Sequence, residues 1–481
     1  MLEIFSLRSA RPGSSTRLSD HPARSRALAV LALSLLAALV AAPATAVTAA
    51  GAPTTVGVPT TDVAEATSAT GAAYRAVAPR RVVSGQGIGA GKTVTIRIPD
   101  VPAGATAVQL NVTASRASAV SYMSLCAAGT PLADCRTTSA LNPRPGIDTP
   151  GSAVVALGGA ARDQVTVYNN AGSLRFSVDV HGFYVPPTTT DGVFTSRVPS
   201  RALDRTFGTR EWQTLTLRDV PVGATAVAVN VTSSRFSTVS YVSACPAGQD
   251  RAVCSGSSVN NAAPGIDRAN AAVVKLGGTS SNQIQVYNNA GPGRVVVDVT
   301  GFFVKGGSAG KGTYVPVSPQ RAMSFQPMSA GQTRTLTAPA VPAGAKAAVV
   351  NVTTTRTTGT SYLSACPAGT ALASCKAASV KNPAAGRDIA NSAMLKLGGS
   401  RGDQITFYNN AASTSLIVDV VGYFVGEAPV TGTVPNPPAP APAPASTSAK
   451  PDASNTGVRP GSTLRKHVGD IVVTTPGTVL E

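Results

Sequence analysis

Six cysteines fall in three pairs, Cys126 with Cys135, Cys245 with Cys254 and Cys366 with Cys375, and the members of each pair are nine residues apart. Six cysteines allow 15 pairings, and the recurrence of one spacing singles out the three local ones as disulfides. A bond closing so small a loop contributes about 2–3 kcal/mol in the chain-entropy account. Zinc is the rival chemistry for paired cysteines, but the pairs lack C-x-x-C spacing and histidine partners. No metal site is expected.

Carboxylates also recur, at Asp148, Asp267 and Asp388 in a loop and at Asp179, Asp298 and Asp419 in an apolar stretch. Three chemistries are open to them: structural ion pairs, with the recurring Arg116, Arg235 and Arg356 as partners; calcium binding; and paired-acid glycoside hydrolysis. The ion-pair reading is preferred, because three equivalent active sites without surrounding aromatics would be out of keeping. Only three histidines exist, His21, His181 and His467, so a histidine triad has no repeated basis. Gly87–Lys92 is glycine-rich but leads into a strand rather than a helix, which is the wrong context for a phosphate cradle. No catalytic residue and no cofactor are nominated.

A Tyr-Asn-Asn run occurs three times, at Tyr168-Asn169-Asn170, Tyr287-Asn288-Asn289 and Tyr408-Asn409-Asn410. Asn-Asn before a small residue is first of all a hairpin turn. Exposed tyrosine and asparagine are also suited to stacking on and hydrogen-bonding a sugar, which makes Tyr168, Asn169, Tyr287, Asn288, Tyr408 and Asn409 the candidate ligand contacts. The Asn-Val-Thr tripeptides at Asn111, Asn230 and Asn351 formally match a glycosylation acceptor, but they sit mid-strand, where a ladder or turn role is expected.

The elements that position these groups are themselves repeated. VPAGATAVQLNVT from Val101 returns as VPVGATAVAVNVT from Val220 and VPAGAKAAVVNVT from Val341. VDVHGFY from Val178 returns as VDVTGFF from Val297 and VDVVGYF from Val418. Matching residues are 119 and 121 positions apart, so each unit is a whole domain rather than a solenoid turn. Within a unit, period-two alternation bounded by Gly, Pro and Asn marks six to eight short strands, as in Thr93–Ile98. The expected fold class is all-β: three tandem antiparallel β-sandwich modules, each with one local disulfide and one buried face per sheet. A β-trefoil or small barrel is the alternative. The modules are placed at 74–186, 194–305 and 314–426, able to fold singly.

Residues 1–46 hold five arginines and an uninterrupted small-apolar run, Ala27–Ala42, ending near Ala44-Thr45-Ala46. This is the pattern of a secretory signal peptide, with a retained anchor as the alternative. A flexible segment, 47–73, follows. The whole chain carries +17 at pH 7, and removing the signal's net +3 leaves +14. Without a Lys/Arg run or interleaved aromatics, that charge favours anionic polymers over nucleic acid. No membrane association is expected after signal cleavage.

The repeated VPAGATAV/NVT, Tyr-Cys, YNNA and VDVxGYF segments resemble repeat modules of secreted proteins from high-GC Gram-positive (actinobacterial) bacteria. Pro199, Arg201, Leu203 and Asp204 fit the P-x-R opening of such modules; copies one and three keep Pro79 with Arg81 and Pro319 with Arg321. The resemblance implies an exported chain and transfers no catalytic or ligand residue. After a Pro/Ala-rich spacer, 427–454, the segment 455–481 resembles the first rung of a right-handed parallel β-helix of secreted proteins, which reads as the truncated start of such a domain.

The functional expectation is a secreted, non-catalytic surface or cell-wall-associated array that binds, or spaces, on anionic wall polymer or polysaccharide. The alternative is the accessory region of a secreted carbohydrate-active β-helix enzyme.

Overall fold

The computed structural model describes residues 71–306, 310–339, 341–342 and 344–437. The signal-peptide expectation and the β-helix expectation for 455–481 lie outside the described residues, which all belong to one compact unit, Ala66–Glu481.

Copy one comprises β1 (Ala73–Ile88), β2 (Lys92–Arg97), β3 (Ala107–Ser115), β4 (Met123–Ala127), α1 (Leu132–Cys135), β5 (Thr149–Ala156), β6 (Gln164–Asn169) and β7 (Leu174–Val185). Copy two comprises β8 (Gly192–Phe207), β9 (Glu211–Thr216), β10 (Ala224–Ser234), β11 (Ser240–Pro246), α2 (Arg251–Ser255), β12 (Asn260–Ala262), β13 (Arg268–Lys275), β14 (Gln283–Asn288) and β15 (Gly293–Lys305). Copy three comprises β16 (Thr313–Met328), β17 (Thr333–Thr337), β18 (Ala345–Thr355), β19 (Leu363–Pro367), α3 (Leu372–Cys375), β20 (Ile389–Lys396), β21 (Gln404–Asn409) and β22 (Thr414–Val425).

Each copy is an antiparallel sandwich. Its large sheet has the order β5-β3-β7-β1 in copy one, β13-β10-β15-β8 in copy two and β20-β18-β22-β16 in copy three, and the first two join at the β1–β8 edge, Tyr74 opposite Gly192, into an eight-stranded sheet; the small sheets are β2-β6-β4, β9-β14-β11-β12 and β17-β21-β19. Val108, Leu110 and Val112 of β3 point into the sandwich, as do Val227, Val229 and Val231 of β10. The disulfides Cys126–Cys135, Cys245–Cys254 and Cys366–Cys375 tie each short helix to the strand before it, with Cα separations of 5.6, 6.0 and 5.5 Å.

The large sheets depart from the expectation of one buried face. In β3, β10 and β18 nearly every residue is buried, because the outer faces of the three large sheets pack on one another. The copies therefore do not sit apart as separate beads. Where they meet, Tyr74, Tyr184, Tyr314, Phe424, Phe194 and Phe303 form a closed cycle of rings. Contacts within a copy (Tyr74–Tyr184 5.2 Å, Phe194–Phe303 5.0 Å, Tyr314–Phe424 5.4 Å) alternate with contacts between copies (Tyr184–Tyr314 4.5 Å, Phe194–Phe424 4.4 Å, Tyr74–Phe303 4.5 Å). Tilted ring pairs at such distances add roughly 0.5–1.5 kcal/mol each beyond burial. The glycine of the VDVxG motif makes room for them: a Cβ at Gly182, Gly301 or Gly422 would overlap the ring of Tyr74, Phe194 or Tyr314.

The start of the expected Pro/Ala spacer is also part of the fold. Val434 N donates to Val220 O (2.7 Å), Val222 N to Gly432 O (2.9 Å), and Ala428 is buried in the core of copy two. Glu427 accepts from the Ser196 hydroxyl (2.8 Å) and Lys396 Nζ (3.2 Å). A proline-rich composition does not prevent such packing where apolar side chains and three backbone bonds are available, the third from Ala428 N to Phe194 O (3.2 Å), so 427–436 is a strap over copy two rather than a spacer.

Candidate functional site

The boundaries between copies carry the polar chemistry. At the first, Asn111 Nδ2 of β3 donates to Ser258 O (2.6 Å), Asn270 Nδ2 donates to Asn111 Oδ1 (2.7 Å), and Ser152 N donates to Asn270 Oδ1 (3.1 Å). At the second, Asn230 donates to Ser379 O (2.7 Å), Asn391 to Asn230 (3.1 Å) and Ala271 N to Asn391 (3.0 Å). The third closes the ring, since Asn351 donates to Ser139 O (2.6 Å) and Arg321 Nη2 to Thr137 O (3.4 Å). The Asn-Val-Thr asparagines are thus the clasps between copies.

The recurring strand aspartates sit beneath these boundaries. Asp179 is paired with Arg81 (2.8 Å on both oxygens), Asp298 with Arg201 (2.9 and 3.3 Å) and Asp419 with Arg321. The expected partners Arg116, Arg235 and Arg356 are corrected: all three lie exposed at turns with φ of 51–53°, and the guanidinium of Arg356 covers Phe325 instead. Arg116 lies in the field of Asp148, the loop aspartate, whose carboxyl burial pushes up. The reason is register, because Arg81 stands directly opposite Asp179 in the β1–β7 pairing. Ser258 N and Ser379 N of the following copy also donate to Asp179 (3.3 Å) and Asp298 (3.0 Å). Burial raises the Asp298 and Asp419 carboxyls, opposed by their arginines.

The Tyr-Asn candidates are not exposed. Asn169, Asn288 and Asn409 are fully buried and spend their side chains on their own turns. Asn169 donates to Gly89 O (3.1 Å) and Gly172 O (2.9 Å) and accepts from Ser121 Oγ (2.7 Å). Asn288 and Asn409 repeat the pattern with Ser240 and Ser361 (2.8 Å each). Tyr168, Tyr287 and Tyr408 donate to Asn170, Asn289 and Asn410 (3.2, 3.2 and 3.3 Å) and lie behind a second tyrosine. That second set, Tyr122, Tyr241 and Tyr362, is half-buried and was missed; its signal was the recurring Ser-Tyr dipeptide ahead of each cysteine pair.

At the first boundary these elements frame a groove of about 360 Å³. Arg81, Thr113, Ser115, Asp148 and Ser177 line it from copy one, and Tyr241, Ser257 and Asn261 from copy two. The Tyr241 hydroxyl donates to Ser255 O (3.0 Å), and burial raises its pKa. The place of Ser255 is taken by Lys376 at the second boundary and Arg136 at the third, which makes those two more cationic. Hydroxyls, an amide, a tyrosine and a guanidinium can hold a polyhydroxylated or anionic chain; they supply no nucleophile–base pair. Among the described residues, no group of three or more His, Cys, Asp or Glu could hold a metal, and no helix is long and apolar enough to cross a membrane.

No protein-family model matches the chain, and no curated protein matches it. Solved structures that align with the chain include one described as the triple jelly roll fold and turret assembly in an archaeal virus (10% identity, 74% of this chain and 91% of that one, TM-score 0.16), and one as the atomic structure of Sulfolobus Turreted Icosahedral Virus (10% identity, 74% and 92%, TM-score 0.17). Likeness at that level bears on neither the chemistry nor the function of this chain.

Proposed function

We propose that the chain is an exported, non-catalytic protein of the cell surface or wall, and that its three copies hold anionic wall polymer or polysaccharide in the grooves between them. The observation that supports this most is the groove at the first boundary, whose lining is hydroxyl, amide, tyrosine and arginine from two copies at once. Packing the copies together fixes the spacing of three such boundaries, so a polymer engaging more than one gains effective concentration without a linker having to reach. Three disulfides suit an oxidising compartment, and the basic net charge draws polyanions to the surface.

The test is retention of the full oxidised chain on purified wall material and a panel of polysaccharides. Ser115→Ala with Asn261→Ala should weaken retention several-fold while lowering the melt only slightly, since Asn261 gives up one 3.3 Å bond from Thr113, and about 0.5 M salt should release an anionic partner. Retention that ignores both would refute the reading.

A further inference from the structure

β10 runs from Ala226, beside the aromatic cycle, to Ser233, about 23 Å away toward its other end. Opposite Ser233 stands Arg268, which is only 9% exposed. Its guanidinium Nη1 donates to Asp148 O of copy one and to Asn261 O (3.1 Å), two uncharged oxygens. Arg387, on the matching loop of copy three, has a buried Nη1 without a hydrogen-bond partner. Lys381, at the start of that loop, is fully buried, and its Nζ has no partner either.

The loops that carry these cations lead into β5, β13 and β20, which pack on one another pairwise, so the cations share one neighbourhood. Burial and the charge of Arg387 push the Arg268 guanidinium down to about 10. Lys381 is depressed by burial and by Arg268, and Arg387 by burial and by Arg144 of copy one. The nearby acid, Asp148, is itself raised by burial. None of the four is a repeat feature. Where copy three has Lys381 the others have Leu141 and Asn260; Arg387 replaces Ile147 and Ile266; Arg268 replaces Thr149 and Ile389; and Arg144 replaces Ala263 and Ala384. Four cations on an uncharged background, drawn from three copies, converge once per molecule. Asp148 is one acid against four cations, buried charge in such excess is costly, and the unpartnered donors are what an anion would satisfy.

We propose that Arg268, Lys381 and Arg387, with Arg144 at the mouth, form a binding site for a tetrahedral oxyanion of phosphate or sulfate size. Three guanidinium groups and an ammonium give such an anion charge-assisted donors from every copy, so its binding also clamps the three copies together. The site adjoins the groove, since Asp148 and Asn261 border both, but it does not rest on the groove's binding a polymer.

Thermal melts of the full chain in sodium phosphate, sodium sulfate and sodium chloride at equal ionic strength test this. At about 5 mM, far below the range in which excluded salts stabilise proteins generally, phosphate or sulfate should raise Tm by about 1–2 °C with saturation, as ligand linkage requires. Chloride should not. Arg387→Ile and Lys381→Leu, which install residues of the sister copies, should each fold and lose at least half of the rise. No saturable rise in the parent chain, or the full rise in both variants, would overturn the proposal.

Discussion

Asn391 donates its side-chain amide to Oδ1 of Asn230 across the second boundary (3.1 Å), as Asn270 does to Asn111 across the first (2.7 Å). At the third boundary the corresponding residue is Gly151, and Oδ1 of Asn351 has no hydrogen-bond partner. The ring of copies thus has a seam between copies three and one. Asn230→Ala leaves the amide of Asn391 without its side-chain acceptor and removes the bond to Ser379, which should cost about 2–3 kcal/mol. Asn351→Ala loses a single bond and relieves an unsatisfied oxygen, so it should cost about 1 kcal/mol or less. Denaturant unfolding of the two variants decides this; equal losses would mean that the seam is not weaker.

A shared aromatic cycle changes what one copy does alone. Residues 191–305 expressed by themselves would expose Phe194, Phe303, Ala226 and Ala228, which are buried against the other copies in the chain. An apolar patch of that kind drives association. The excised copy should self-associate or melt well below the full chain, as sedimentation and calorimetry can show, whereas a stable monomer would restore independent modules.

The ion pairs make a sharper contrast. Arg201→Ala strands Asp298, whose side chain has no solvent exposure, and should cost about 3–5 kcal/mol. Arg235→Ala touches only an exposed turn residue and should stay within about 0.5 kcal/mol. Chemical denaturation of both variants, with Arg81 and Arg116 as the same comparison in copy one, checks the reassignment.

The sandwiches and disulfides were legible because period-two alternation and a fixed cysteine spacing are local signals. The arginine partners were not. Arg81 and Arg116 recur in all three copies alike, and only the pairing of β1 with β7 brings Arg81 opposite a carboxylate 98 residues away. Ala107, Gln109 and Asn111 are small or polar, which is the composition of a strand's solvent side, yet that side is where the copies meet. Tyr168 and Asn169 read as exposed because polar side chains usually are, but Ser121 and the carbonyl of Gly89, 48 and 80 residues away, join the turn carbonyl of Gly172 in satisfying the amide inside the fold. In each case the deciding fact is a contact distant in sequence.

His181 gives the chain a pH dependence with a definite sign. It is buried at the first boundary, its Nδ1–H donating to Val273 O (3.1 Å), while Nε2 is buried without a partner. Burial lowers its pKa from the ordinary 6.5, opposed by the charge of Asp179 and the bond to Val273. The unfolded chain therefore takes up a proton as pH falls through about 6.5 while the folded chain does not. Stability should be level with respect to this group above that pH and decline below it, by up to about 1.4 kcal/mol per pH unit until the lowered folded pKa is reached. Asp298 and Asp419, raised by burial, work in the opposite direction at more acid pH, so the informative quantity is the difference between the parent chain and His181→Thr, which installs the residue of copy two, Thr300. Melting both from pH 8 to pH 5 should show the parent losing Tm relative to the variant as acid is added. Parallel curves would mean that the imidazole takes its proton equally well in the folded chain, and that the first boundary opens enough to hydrate it.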